Sequence, residues 1–150
     1  MRWAEDSLRV LDRLQPLGLL ALRLVVGFIM VGHSYPKLLG GMHKYEATIS
    51  ALGLPWWLAL VSAAAEFFGG LALIFGIFTR CFSLAILIDM VIAIWKVHWK
   101  NGFMKEHGYE FPLTLAAVVL SLIFSGAGPI SLDAVLRGSS GAGFSGRKSR

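Results

Sequence analysis

The chain has 150 residues, of which 56% are hydrophobic and 15% charged, with a mean hydropathy of +0.68. Soluble domains carry about 25% charged residues, so too little polar sequence remains here to coat a water-facing core. The net charge of +5 gathers on no single helix face or dense patch, which argues against a nucleic-acid partner, and a lone Cys81 excludes an internal disulfide or a CxxC redox pair.

Residues 1–15 set Trp3, Leu8, Leu11 and Leu14 at helical spacing among charged neighbours. That pattern predicts a short interfacial helix, and with no apolar h-region or A-x-A site it does not read as a secretory signal. A first apolar run starts at Pro16, a good first-turn residue, and continues Leu17–Gly32 with Arg23 as its only charge. Met42, Tyr45, Ile49 and Leu52 predict a second interfacial helix. Run two is Leu54–Thr79, interrupted only by Glu66. Run three is Cys81–Trp95, interrupted only by Asp89 and extendable to His98. Run four is Phe111–Phe124, without a charge, stopped by Gly126-Ala127-Gly128-Pro129. An 18-residue helix spans about 27 Å, close to a hydrocarbon core; runs three and four are somewhat short and need snorkelling ends or local thinning. Residues 137–150 are Gly/Ser-rich with basic residues at the end, which predicts a flexible tail. The expectation is an all-α integral membrane protein: a four-transmembrane-helix bundle over residues 16–136, flanked by short interfacial helices.

Four spans put both termini and the turn between runs two and three on one side of the membrane. That side carries eight Lys/Arg and the other carries five: Lys37, Lys44, Lys96, Lys100 and Lys105. The bias favours cytoplasmic termini, although without Arg147, Lys148 and Arg150 the count is level at five each. All four histidines then fall toward the extracytoplasmic face, with Trp56, Trp57, Trp95 and Trp99 as an aromatic belt.

Arg23, Glu66 and Asp89 lie near the middles of their runs. A charge facing lipid there costs at least about 3 kcal/mol, so these side chains should face the bundle interior and find partners. Arg23 with Glu66 is the natural pair, and Asp89 joins them or is carried as the neutral acid. Such a group either fixes helix register as a buried ion pair or serves a proton or a polar headgroup. A second constellation gathers at the outer end: His33, Lys37, His98 and Glu110. His33 and Lys37 share a helix face if the helix passes through Ser34 and Pro36. The group suits a quinone carbonyl, and histidine titrates near neutral pH. The plainer reading has these side chains bonded to backbone or water. No HxxxH or HxH pair occurs, so no metal is expected.

These residues also carry a resemblance. Leu22-Arg23-Leu24 with Gly27, Gly32-His33, Lys37-Leu38, Leu52-Gly53-Leu54-Pro55, Glu66 with Gly69-Gly70, Leu73 to Gly76, and Thr79-Arg80 follow one another in order. His98 with Gly102-Phe103, Glu110, Gly126-Ala127-Gly128 and Ser131-Leu132-Asp133 complete the series. Over residues 17–133 the chain resembles the DoxX family of four-helix bacterial and archaeal membrane proteins. It departs from that pattern at Ser34-Tyr35-Pro36, where the family has a Gly-containing stretch. Similar families include small subunits of a terminal quinol oxidase and of a thiosulfate:quinone oxidoreductase, and partners in thiol or oxidative-stress redox complexes. The resemblance implies polar positions at Arg23, His33, Lys37, Glu66, Arg80, His98 and Glu110; Asp89 stands on burial cost alone.

Two functions follow as expectations. One is an inner-membrane subunit supporting quinone-linked electron transfer beside other subunits, with Arg23, Glu66, His33 and His98 near the quinone or its protons. The sequence has no haem, flavin or iron–sulfur motif, so no covalently bound cofactor is expected and quinone is the candidate. The other is a non-catalytic accessory or assembly subunit. A small transporter is less favoured, because no inverted repeat is evident.

Overall fold

The computed structural model describes the backbone of residues 2–142 and the side chains of residues 14–138. Six α-helices follow in order: α1 Arg2–Pro36, α2 Met42–Ala51, α3 Trp57–Phe75, α4 Thr79–Ile92, α5 Glu110–Ser125 and α6 Leu132–Ala142. A π-helical turn, Ala93–His98, extends α4.

Helix α1 differs from the expected division at residue 16. Its backbone is continuous from Arg2, with Pro16 and Pro36 inside it. A proline removes one backbone donor and bends a helix, but need not end one that has helix-forming sequence on both sides. The side chains of residues 1–13, on which the interfacial reading rests, lie outside those described. The chain then turns through Lys37–Gly41, where Gly40 takes φ +126°, a value open to glycine and strained for other residues. The tail also differs. Residues 137–142 belong to α6, which Ser131 starts by accepting the Ala134 N–H at its side-chain oxygen. Residues 143–150 lie outside the described residues.

Three stretches are long and apolar enough to cross a bilayer: Leu14–Ala51, Trp57–Phe75 and Thr79–Asn101. Helix α5 is also apolar, but its 16 residues reach only about 24 Å. At most 39% of a spanning stretch is buried within the chain, and Phe28, Phe68, Ile88 and Phe124 all point outward. Helices apolar on every side yet mostly uncovered need a nonpolar solvent, so this is an integral membrane protein.

Helix α3 packs between α1 and α4, and α5 closes against α4 with a lighter contact to α1. The closest crossing joins Gly27 to Gly70. A Cβ on Gly27 would stand 2.7 Å from the Gly70 carbonyl oxygen, and one on Gly70 would stand 2.8 Å from that of Gly27. Van der Waals contact at such range is what holds helices together in lipid. Val26, Met30, Leu73, Ile86, Val119 and Leu122 fill the centre of the bundle.

Candidate functional site

The two polar groups expected from sequence are divided differently in space. Glu66, in the middle of α3, pairs with Lys37: the ammonium donates to both carboxylate oxygens at 2.7 Å. The Glu66 side chain is 4% exposed and that of Lys37 17%. Lys37 also stands 4.4 Å from the centre of the Tyr45 ring, and the Tyr45 hydroxyl is 2.8 Å from that of Ser62. Asp89 interacts with Ser62, Glu66 and Lys37. Lysine reaches Glu66 because α1 stays helical through Pro36 and turns only afterwards.

Arg23 is not the partner of Glu66. Its guanidinium is 1% exposed, donates from Nη2 to the Ile130 carbonyl, and lies against Gly76 and Ser131. Nε and Nη1 have no hydrogen-bond partner among the described residues. Gly76 follows Glu66 by ten residues, about 15 Å along a helix axis. Run midpoints misjudged the pairing: Arg23 precedes Lys37 by fourteen residues, about 21 Å along a helix axis, so the Lys37–Glu66 pair leaves Arg23 toward the far end of α3. Close by, Asp133 accepts the N–H groups of Phe78 and Thr79 at 2.8 and 3.0 Å and donates its own N–H to Gly76. It thereby caps α4 from another helix. Burial alone would raise the Asp133 carboxyl, but the Thr79 and Phe78 N–H groups outweigh it and hold the acid below the usual carboxylate range. Arg80 donates to the Phe124 carbonyl at the end of α5.

A cavity of about 500 Å³ opens at the opposite end of the bundle. His33, Lys37, Tyr45, Glu66, Asp89 and His98, with Thr48, Ser62 and Lys96, supply its polar lining; leucine, isoleucine and alanine side chains from α2 to α5 supply most of the rest. Of the expected outer group, His33, Lys37 and His98 therefore meet Glu66 and Asp89 in one place. Glu110 does not line it. Its carboxylate accepts the Met104 N–H at 3.1 Å and fills the space where a side chain on Gly108 would sit, so it ties down the loop before α5. His98 approaches the His107 carbonyl through Nδ1 at 2.8 Å. A carbonyl only accepts, so Nδ1 carries a proton and Nε2 is left for another partner. The lysine ammonium has three donors, two of them on Glu66. The cavity thus combines apolar walls with convergent polar groups.

The DoxX family model matches residues 18–99. The chain belongs to the DoxX family. This stretch contains every polar residue of the cavity and ends before Glu110, which the resemblance over residues 17–133 had included. Three bacterial relatives match most of the chain. "Putative oxidoreductase CatD" of Bacillus subtilis is 32% identical over 78% of this chain and 85% of its own length. An "Uncharacterized protein" of Haemophilus influenzae is 30% identical over 82% and 93%. "Inner membrane protein YqjF" of Escherichia coli is 27% identical over 84% and 97%. No solved structure matches the chain.

Sequence reasoning missed four polar residues of this DoxX cavity, Tyr45, Thr48, Ser62 and Lys96. Tyr45 and Ser62 had a signal. Ser62 precedes Glu66 by four residues and so shares its helix face. Tyr45 is the one residue with a hydroxyl in the apolar stripe of α2.

Proposed function

We propose that this DoxX protein is a membrane subunit of a quinone-linked redox complex and that the cavity takes the quinone head. The observation that carries the reading is the cavity itself: about 500 Å³, apolar walls, and two lysines, two histidines and two carboxyls gathered among them. Its size and amphipathic lining suit a flat ring with carbonyl acceptors and an apolar tail. Lys37 and His98 have donors or a ring nitrogen to offer such a head, and His33 lies beside them. A bound quinone would supply two-electron, two-proton redox chemistry. The chain's own residues would orient the head, exclude water and hold protons. With no haem, flavin or iron–sulfur motif in the sequence, this reading assigns the electron source to another subunit. The name of the Bacillus subtilis relative supports the class of activity, and that of the Escherichia coli relative supports the inner membrane.

The same reading takes α5 as a fourth span and places both termini in the cytoplasm, with the cavity mouth outside. A cysteine replacing Lys105 should then react with an impermeant reagent on intact cells, and one replacing Gly138 should not.

The test of the site is copurification. Quinone extracted from the protein in mild detergent should be near stoichiometric. It should fall about tenfold in affinity, equivalent to 1.4 kcal/mol, in Lys37→Gln and His98→Gln with the fold intact. Wild-type protein that carries no quinone and binds none when it is supplied would leave the accessory-subunit reading in its place.

A further inference from the structure

Two carboxyl groups and the Lys37 ammonium meet inside the cavity; Lys96, also on its lining, holds its ammonium 4.5 Å from the centre of the Trp95 ring. Glu66 engages Lys37 with both oxygens, and Asp89 faces Glu66 and Ser62. An ionised carboxylate only accepts hydrogen bonds, so two facing carboxyls attract when one keeps its proton and repel when both lose it. Lys37 makes its ion pair with Glu66, and Asp89 has none among the described residues. The other titratable groups around the pair are few. Helix α1 adds His33, α2 adds Tyr45, and the turn after α4 adds Lys96 and His98. Helix α5 contributes Phe111, Pro112 and Leu115, none of which titrates.

We propose that Glu66 and Asp89 together bind one exchangeable proton, and that it enters and leaves past His33 and His98 at the cavity mouth. The closed side is apolar. Val26, Met30, Leu73 and Ile86, none more than 2% exposed, fill the bundle beyond the pair. Arg23, which bonds the Ile130 carbonyl, and Thr79 and Ser83 of α4 do not line the cavity. When the proton leaves, a carboxyl O–H bond breaks, the electron pair stays on the carboxylate, and the proton passes to water or an imidazole at the mouth. Ser62 and its neighbour Tyr45 orient the Asp89 carboxyl. The inference rests on the proposed function only in naming a bound head as the proton's destination; the proton site itself stands without one.

Infrared difference spectra of the purified full chain in lipid bilayers, without added quinone, test it. A protonated carboxyl C=O stretch should be present at neutral pH and shift in D₂O. It should vanish in Asp89→Asn and in Glu66→Gln, and move in Ser62→Ala, a variant that keeps both acids. Absence of the band in the wild type overturns the proposal. So does a band unchanged in all three variants, or one that Asp89→Asn removes and Glu66→Gln leaves unmoved, which would mark an isolated acid. A band that behaves as expected in protein that binds no quinone would retain the proton site and remove the quinone reading.

Discussion

The two ends of the bundle both bury charge and use it in opposite ways. At the Arg23 end the charged groups serve the backbone. Arg23 reaches the Ile130 carbonyl, Asp133 takes two N–H groups at the start of α4, and Arg80 donates to the end of α5. Helix termini leave backbone groups without partners, and lipid offers none, so these side chains close the turns. At the Lys37 end the charges face one another around open space, with a donor left on Lys37 and an acceptor nitrogen, Nε2, on His98. The unpaired Nε and Nη1 of Arg23 do not line the cavity, whereas Lys37 and His98 do.

The comparison breaks most sharply at the Lys37–Glu66 pair. Lys37→Met leaves two carboxyls facing each other with no cation between them. It should destabilise the detergent-solubilised protein by about 3–5 kcal/mol, whereas Lys37→Met with Glu66→Gln should recover most of that loss. Arg23→Gln combined with Glu66→Gln should instead add within about 0.5 kcal/mol, as sites without shared partners do. A coupling energy between Arg23 and Glu66 larger than that between Lys37 and Glu66 would merge the two ends.

Gly76→Ala strikes the other end. Gly76 has φ +67°, and a Cβ there would stand 1.7 Å from Arg23 Nη1 and 2.6 Å from the Ser131 Cβ. Backbone strain and overpacking together should cost about 2–4 kcal/mol in a thermal melt. The protein that remains folded should bind quinone as the wild type does. A change in quinone affinity with little change in stability would show that the two ends are not separate.

How far the sequence carried depends on which kind of information each element needs. The apolar runs were legible because a bilayer demands long uncharged stretches, and each single charge stood out against them. Pairing was not legible. Arg23 and Glu66 looked equidistant from their run ends, but run ends are not helix ends: α1 continues through Pro36, and that shift hands Glu66 to Lys37. His33, Lys37 and His98 were found as polar residues at one membrane face, and three-dimensional packing was needed to join them to Glu66 and Asp89. Glu110 shares their position in sequence space and not their position in the fold. Asp133 was visible only as part of Ser131-Leu132-Asp133, since a cap donated from one helix to another has no local periodicity.

A smaller effect belongs to Asp133. Asp133→Asn keeps one acceptor and loses the charge at the start of α4, so it should cost about 1 kcal/mol near neutral pH. The wild-type carboxyl lies below its unfolded value. Its contribution is therefore fully present above the ordinary carboxylate range and is lost as pH falls through the folded value. The gap between wild type and Asp133→Asn should narrow in acid. A gap that stays constant down to acid pH would mean that the carboxylate charge does nothing at this cap.

The smallest effect sharpens the comparison within the outer group, between His98 and Glu110. Glu110→Gln keeps an oxygen that accepts the Met104 N–H, at a half-buried site, so stability should change by roughly 0.5 kcal/mol or less. His98→Gln offers an amide N–H to the His107 carbonyl, so its stability should also hold. The two should part at the ligand. Glu110 stands outside the cavity and its variant should bind quinone unchanged. His98 lines the cavity, and an amide does not reproduce its ring nitrogen. Its variant should therefore weaken quinone binding. Equal behaviour of the two variants, both unchanged or both impaired, would return His98 to the role that Glu110 plays: a side chain that holds a loop against the bundle.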